Sequence, residues 1–185
     1  MTATHLLILG GFALITFIGA TLINTLIGRK NQVEFAFASL DTQLQKRFDL
    51  IPNLVAVAER YMGYEQGVLA DLTRLRSEVR PTGGNGHDLE LLDQQTGRFM
   101  SNFFAVAENY PLLRACEPFL HLQASLNEVE EQLAAARRAY NAAVTDYNNG
   151  CEMVPLNMVA GCLGYKRKEW LRIPDEERLP VKVWR

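Results

Sequence analysis

Residues 117–153, EPFLHLQASLNEVEEQLAAARRAYNAAVTDYNNGCEM, contain the pattern that decides the fold of this chain. Apolar and aromatic side chains recur there at alternating steps of three and four residues, as on the buried face of a helix that packs lengthwise on other helices. At about 1.5 Å per residue this helix is roughly 55 Å long, so we expect it to be the central element of an all-α domain. The buried stripe consists of Phe119, Leu122, Leu126, Val129, Leu133, Ala136, Tyr140, Ala143 and Tyr147.

Three further helices are predicted upstream of this one. Residues 31–48 and 50–79 repeat the spacing of three and four, which predicts two helices that each bury one face. The sequence PTGGNG at residues 81–86 ends the second, because proline cannot continue a helix and glycine accepts left-handed backbone. Another helix is expected to begin near Asp88, a candidate N-cap, and to run towards Asn109.

Pro52 determines how the first two of these helices join. In a helix interior proline costs about 3 kcal/mol, whereas in the first turn its missing N–H is harmless. Asp49 could cap a new helix that has Pro52 in its first turn, or one helix could continue with a kink. We expect a kink or a very tight break between two nearly coaxial segments.

The C-terminal region is different in character. Val154-Pro155 stops the long helix, Leu156–Leu163 is predicted to be one short apolar helix, and Gly164 ends it. Residues 164–185 are then expected to be an extended tail that packs on the helices, because its two tryptophans carry large apolar surfaces. A partner-binding peptide is the alternative.

The tail is also rich in positive charge. It contains seven Lys and Arg and four Asp and Glu, a balance that could favour binding to an anionic lipid surface, although a solvated tail is the simpler interpretation.

The N-terminal region is predicted to cross a membrane. Leu6 to Ile27 is an uncharged run of 22 residues, roughly 33 Å long as a helix, against about 30 Å of hydrocarbon. A cleaved signal peptide is the alternative, but its apolar core is shorter and follows basic residues, which this N-terminus lacks. Arg29 and Lys30 follow the run, so we expect the N-terminus outside and the remaining chain in the cytoplasm; a periplasmic or external domain is the alternative.

One face of this span carries small and polar residues. Thr16, Ala20, Asn24 and Gly28 are four positions apart. Small residues let helices approach closely, and an intramembrane Asn can form a hydrogen bond across the interface for about 1 kcal/mol. The face is therefore a candidate for self-association, and an ordinary anchor with tolerated polar residues is the alternative.

Composition excludes several functional classes. The formal net charge is −2, and positive and negative residues are mixed along the chain. The sequence therefore has no basic patch that would indicate nucleic-acid binding. Cys116, Cys151 and Cys162 lack a C-x-x-C spacing and are odd in number, which favours reduced, buried thiols over a disulfide framework. The part after the span is long enough for one compact domain. The predicted organisation is an anchor at residues 1–30, a helical bundle at 31–163 and the tail at 164–185.

Charged side chains could in principle form a catalytic or metal site. A catalytic site would need a pocket and shifted pKa values, so we expect ion pairs across the bundle or helix caps instead. The candidates are Arg47, Asp49, Glu65, Glu130 and Arg137. A di-metal helical bundle requires Glu-x-x-His pairs, which are missing around His121 despite the nearby glutamates at positions 117, 128, 130 and 131. No enzymatic activity, metal or cofactor is expected.

The block KRFDLIPNLV at residues 46–55 resembles the signature of the LemA family of bacterial membrane-anchored helical proteins. Its matching positions include Arg47, Asp49, Leu50, Ile51, Pro52, Asn53 and Leu54. The resemblance extends to the pairs Tyr140-Asn141 and Tyr147-Asn148 and to a block from Pro155 to Pro174. The chain departs from the family pattern at Tyr64, where a His is usual, and at Val154, where an aromatic residue is usual.

The resemblance implies an N-terminal span in the bacterial inner membrane and a cytoplasmic antiparallel helical bundle, with no established enzymatic activity. Some family members resemble organelle-biogenesis proteins of magnetotactic bacteria. Others are encoded near membrane metalloproteases, which makes such a protease a candidate partner beside the bilayer and further copies of the chain. We therefore expect a membrane-anchored interaction or scaffold protein. The alternative is a lipid- or peptide-binding module with a groove lined by the paired tyrosines and asparagines. The sequence names neither the partner nor the number of subunits.

Overall fold

The computed structural model describes residues 2–62 and 86–171, with side chains described for residues 3–62 and 91–171. These parts contain helices and connecting turns and no strand, which confirms the all-α prediction. The helices are α1 (Thr2–Met62), α2 (Gly86–Ala107), α3 (Pro111–Ala115), α4 (Glu117–Glu152) and α5 (Leu156–Leu163).

The apolar N-terminal run and the two segments on either side of Pro52 form one helix, α1, so of the two expected arrangements the tight break is wrong and the helix continues through Pro52. Pro52 is exposed, while Ile51 and Leu54 beside it are almost completely buried. The helix continues because the free energy gained by burying this apolar stripe on both sides of the proline outweighs the loss of the hydrogen bond that proline cannot make. Asp49 does not cap a helix, since its Oδ1 accepts a hydrogen bond from Nε2 of Gln45 within α1.

The bounds of the other helices agree closely with the sequence pattern. Every member of the α4 stripe is buried except Leu122, which is half-buried. α5 has the predicted ends, and Gly164 closes it with a left-handed φ of 72° that glycine adopts without strain. α2 begins two residues before Asp88. The predicted helical residues 63–79 and most of the turn at 81–86 lie outside the described residues.

The chain divides into two compact units. The first consists of Met1–Ala38 and Arg138–Trp170, and the second of Ser39–Arg137 with the chain from Leu171 onward. α1 and α4 each contribute residues to both units. The predicted domain boundaries after residues 30 and 163 stay predictions.

In the first unit, α1 and α4 pack antiparallel. The rings of Phe37 and Tyr140 lie 6.0 Å apart, and nearer the N-terminus of α1 the Nη1 atom of Arg29 donates a 2.7 Å hydrogen bond to the carbonyl oxygen of Asp146. Residues nearer the C-terminus of α4 thus contact residues nearer the N-terminus of α1. The core of this unit includes Leu26, Val33, Ala36, Tyr140, Val144 and Tyr147.

In the second unit, parts of α1, α2 and α4 enclose an apolar core. Phe103 of α2 contacts Phe119 of α4 with ring centroids 6.4 Å apart, and Phe99 and Phe104 extend the aromatic cluster. Pairs of this kind add about 0.5–1.5 kcal/mol beyond the burial of their area. The largest buried aliphatic side chains here are Leu44, Ile51, Leu54, Leu113, Leu126 and Leu133.

Candidate functional site

The N-terminal part of α1 exposes a continuous apolar surface. Leu7, Phe12 and Phe17 each expose more than 70% of their surface. Among the described residues, α1 is the one helix that is long and apolar enough to cross a membrane, as judged from its length and composition. Leu26, by contrast, is completely buried in the first unit. The apolar helix therefore becomes part of a packed core before its apolar run ends at Ile27.

The predicted association face lies on this exposed part of the helix. Thr16, Ala20, Asn24 and Gly28 are all exposed in the single chain. The hydroxyl of Thr16 donates to the carbonyl oxygen of Phe12 in the same helix, and a side-chain carbon added to Gly28 would meet no atom within 4 Å. Self-association through this face stays a prediction.

A cluster of charged side chains joins three helices inside the second unit. Nη1 of Arg47 on α1 lies 2.9 Å from Oδ1 of Asp93 on α2, and Nη2 of Arg137 on α4 donates to Oδ2 of the same aspartate. Nε of Arg47 also lies 2.6 Å from Oε1 of Glu130 on α4. The side chains of Arg47, Asp93 and Arg137 are each at most 15% exposed. Both oxygens of Asp93 are thus held by guanidinium groups, an arrangement that links helices.

Sequence reasoning identified three members of this cluster and missed the fourth. Arg47, Arg137 and Glu130 were candidates for ion pairs, and the structure brings them together, whereas Asp49 lies outside the cluster and Glu65 lies outside the described residues. The missing member is Asp93. It lies on the core-facing side of α2, where residues recur at steps of three and four: Asp93, Thr96, Met100, Phe103 and Ala107.

The position of Asp93 in this series is the sequence signal that could have identified it as a buried, paired residue. A carboxylate on an apolar stripe is costly to bury unless it is paired. Two arginines lie on the apolar stripes of α1 and α4, between Leu44 and Ile51 and between Leu133 and Tyr140. Charged residues of both signs at core positions therefore indicate a buried ion-pair network.

Asp49 lines a shallow groove in the second unit. The groove has a volume of about 380 Å³. Leu50 and Val129 supply apolar surface, and the polar lining residues are Lys46, Asp49, Ser125, Glu128 and Gln132. A groove of this size is within the range of small-molecule sites, roughly 300–1,000 Å³.

Tyr147 and Asn148 hold the chain that follows α5, all within the first unit. The hydroxyl of Tyr147 donates a 3.0 Å hydrogen bond to the carbonyl oxygen of Lys166. The side-chain amide of Asn148 donates to the carbonyl oxygen of Lys168 and accepts from the N–H of the same residue, both at 2.9 Å. Nε1 of Trp170 donates to the hydroxyl of Thr145 at 3.0 Å. We call residues 165–170, held in this way, the docked segment.

The two Tyr-Asn pairs of the family resemblance differ in what they contact. The polar atoms of Tyr147 and Asn148 bind the main chain of the docked segment. Tyr140 does face a helix, since its ring contacts Phe37 of α1. Asn141 is half-buried and its carbonyl oxygen accepts a hydrogen bond from Thr145.

Among the described residues, three tyrosines have raised pKa values. Burial, followed by the interaction with Cys151, raises the pKa of Tyr147 to about 12, and burial raises that of Tyr140. A hydrogen bond with Cys116 raises the pKa of Tyr61. In each case the neutral phenol is favoured, so these hydroxyls act as hydrogen-bonding groups at neutral pH and not as bases.

The cysteines are less buried than expected. Cys116 and Cys151 are half-buried and Cys162 is exposed on α5, so the expectation of buried thiols is wrong. His121 is exposed and lies 3.6 Å from Glu117, one helical turn away. Within residues 2–62 and 86–171, no three His, Cys, Asp or Glu side chains are close enough together to hold a metal ion.

Comparisons with known proteins identify the family of this chain. The sequence model of the LemA family matches residues 36–184, which is most of the chain after the apolar run. Magnetosome protein MamQ 2 and magnetosome protein MamQ 1 of Paramagnetospirillum magneticum are each 24% identical over 203 residues, covering 95% of this chain and 75% of theirs. Magnetosome protein MamQ of Magnetospirillum gryphiswaldense is 21% identical over 196 residues, covering 91% and 72%. Because the family match spans residues 36–184, well over half of the chain, the chain belongs to the LemA family.

Proposed function

We propose that this protein is a non-enzymatic interaction or scaffold protein, anchored in the bacterial inner membrane by Leu6–Ile27 and assembling through this span and its helical domain. Further copies of the chain are the proposed partners. The family resemblance adds a membrane metalloprotease as a second candidate.

The observation that carries the proposal is the continuity of α1 from Thr2 to Met62. A signal peptide is removed after export, so a cleavable segment should not belong to the folded core. Leu26 lies inside the apolar run and is fully buried, next to α4. Removing the run would take this side chain out of the core, which supports a retained anchor.

The ion-pair network supports a structural role for the charged residues. Asp93 is engaged by two arginines and Arg47 also by Glu130, so these groups bind one another. A general acid or base must reach a substrate proton with a free lone pair or N–H. Residues that are occupied in this way stabilise the helical domain on which partners would assemble.

The anchor is tested by placing charges in the span. Leu14→Arg with Phe17→Arg should release the protein from membranes, because each Arg near the middle of a span costs about 3 kcal/mol on insertion scales. Leu112→Arg with Leu120→Arg is the matched control, since both leucines are exposed outside the apolar run. Alkaline carbonate extraction followed by immunoblotting measures membrane retention. Retention of the span variant at the level of the control would disprove the anchor.

The proposed orientation is supported by Arg29 and Lys30 at the C-terminal end of the run. Its test uses Ala139→Cys, an exposed position on α4, in a chain whose native cysteines are changed to Ser. A membrane-impermeant maleimide should label this cysteine only after the inner membrane is permeabilised. Labelling in spheroplasts with an intact inner membrane would place the domain outside.

A lipid- or peptide-binding module is the second candidate, and the groove beside Asp49 favours it. Ser125→Trp would fill the groove, whereas Ala124→Trp places the same side chain at an exposed neighbouring position that does not line it. Native mass spectrometry of gently extracted protein should then show a bound small molecule in the Ala124 variant and none in the Ser125 variant. Equal spectra for both variants would reject this groove as a ligand site.

A further inference from the structure

The end of α4 lies beside the apolar run of α1. A side-chain carbon at Gly150 would lie 3.4 Å from Cδ1 of Leu26 and 3.2 Å from Nη1 of Arg29. The two helices are antiparallel here. Each step of one residue towards the C-terminus of α4 therefore corresponds to one step towards the N-terminus of α1. The N–H of Met153 still bonds to the carbonyl oxygen of Asn149, which continues the last turn of α4. Met153 therefore lies about 4.5 Å beyond the level of Leu26, at the same level as Ile23 inside the proposed span.

Large apolar side chains are uncovered at this level. Met153 exposes 62% of its surface, Val154 77% and Met158 69%. The sequence of α5, LNMVAGCL, contains no charged residue, and Leu163 at its end is half exposed. Apolar surface next to a span is favourable in a bilayer and unfavourable in water. Met153 and Val154 thus add exposed apolar surface near the level of the span, and the uncharged α5 follows directly in the chain.

Basic and aromatic residues follow α5 at the level where the span ends. The docked segment is held beside Thr145, Tyr147 and Asn148 of α4. By the same antiparallel register, these residues are level with the region of Arg29 and Lys30 in α1. The segment brings Lys166, Arg167, Lys168 and the half-exposed Trp170 to that level. Such residues concentrate at membrane–water interfaces, where their apolar parts are buried and their polar ends are hydrated.

The docked segment also contains Glu169, and the acidic residue at the end of α4 is compensated. Oε1 of Glu152, at the end of α4, lies 2.8 Å from Nη1 of Arg167 in the docked segment. The guanidinium carbon of Arg167 also lies 5.7 Å from the centre of the Trp170 ring. The carboxylate therefore reaches the interface together with a positive charge, which reduces the repulsion from lipid phosphates.

We infer that α5, together with Met153 and Val154, lies in the interfacial zone of the same phospholipid bilayer that the span crosses. The chain is then attached to the membrane at two places: by the span and by a short helix that lies beside the end of the span. This inference rests on the proposed membrane anchor. Its occupant is the lipid bilayer and not a second protein chain.

The native Cys162 on α5 provides the probe. In the full chain with Cys116→Ser and Cys151→Ser, Cys162 is labelled with the fluorophore NBD and the protein is reconstituted into phosphatidylcholine vesicles. We expect blue-shifted emission that is quenched by lipids carrying a shallow spin label. The matched control is NBD at Ala139→Cys in a cysteine-free background. This position is on α4, about 16 Å before Gly150 along the helix, and it should show neither effect.

A third label at Leu9→Cys separates this inference from the proposed anchor. Quenching at Leu9 without quenching at Cys162 would overturn the interfacial position of α5 and leave the anchor intact. Failure of quenching at Leu9 would overturn the anchor itself. Blue-shifted emission at Cys162 that resists lipid quenching would show that protein, not lipid, covers α5, and would also overturn the inference.

Discussion

The Nη1 atom of Arg47 lies 2.9 Å from Oδ1 of Asp93, and both side chains are mostly buried. Arg47 comes from the signature block of α1 and Asp93 from α2. Arg137 of α4 binds the other oxygen of Asp93, so one carboxylate connects three helices. The signature arginine therefore has a specific structural partner that is 46 residues away in the sequence.

Removing the charge of Asp93 should destabilise the protein strongly. Asp93→Asn removes the carboxylate that Arg47 and Arg137 share, and breaking a buried pair in this way costs about 3–5 kcal/mol. Asp49→Asn is the matched control at an exposed position and should change stability by less than about 1 kcal/mol. Urea denaturation of both variants in detergent, followed by circular dichroism, measures the difference. Equal midpoints for the two variants would show that the network contributes no stability.

Changing Asn148 should release the docked segment. Asn148→Asp retains the acceptor for the Lys168 N–H but removes the donor to its carbonyl oxygen, and it buries a charge. The lost bond costs about 1–3 kcal/mol, which is enough to open a local segment. Hydrogen exchange at Lys168 and trypsin cleavage after Arg167 should both accelerate. The exposed neighbour Asn149→Asp provides the control, and similar exchange in the two variants would contradict the role of Asn148.

High pH should weaken the protein through Tyr147. Its pKa is about 12 in the folded chain and 10.0 ordinarily, so between these values the unfolded chain loses the proton first. Stability from the protonated phenol is therefore complete below pH 10 and is lost as the pH rises towards 12. Tyr147→Phe should show a flatter decline of unfolding free energy over this interval in urea titrations. Parallel curves for the two proteins would disprove the assignment.

Replacing Pro52 should stabilise α1. Proline lacks the N–H that a helix interior uses, and it is exposed here, so Pro52→Ala restores a hydrogen bond without disturbing the core. We expect an increase of about 1–3 kcal/mol in the free energy of unfolding. Asn53→Ala, at the next exposed position, controls for helix propensity. A loss of stability in Pro52→Ala, with Asn53→Ala unchanged, would show that the proline sets a bend the fold requires.

The face of small and polar residues in the span should control assembly. Thr16→Leu with Asn24→Leu removes two polar side chains and adds bulk, which should weaken helix–helix contact in the membrane. Thr25→Leu, outside the four-residue face, is the control. Size-exclusion chromatography with light scattering in mild detergent measures the mass of the particle. An unchanged mass in the double variant would exclude this face from assembly.

Local sequence patterns were sufficient to predict most of the helices. The stripe from Phe119 to Tyr147 predicted α4 almost to its ends, and Gly164 marked the end of α5 because a left-handed backbone position favours glycine. The sequence left a kink and a tight break at Pro52 both open, because the choice depends on the burial of Ile51 and Leu54, which only packing provides.

The sequence by itself determined the helical class, the apolar run at the N-terminus and the faces that become buried, since these follow from periodicity along one chain. Tertiary structure decided which side chains meet: Asp93 with Arg47 and Arg137, and Asn148 with Lys168. The physical reason is register. A stripe of period 3.6 is almost unchanged when one helix slides by a turn along another, so periodicity cannot select between such pairings. Only the packed side chains of both helices fix the register, and with it the buried ion pairs and the place where the docked segment binds.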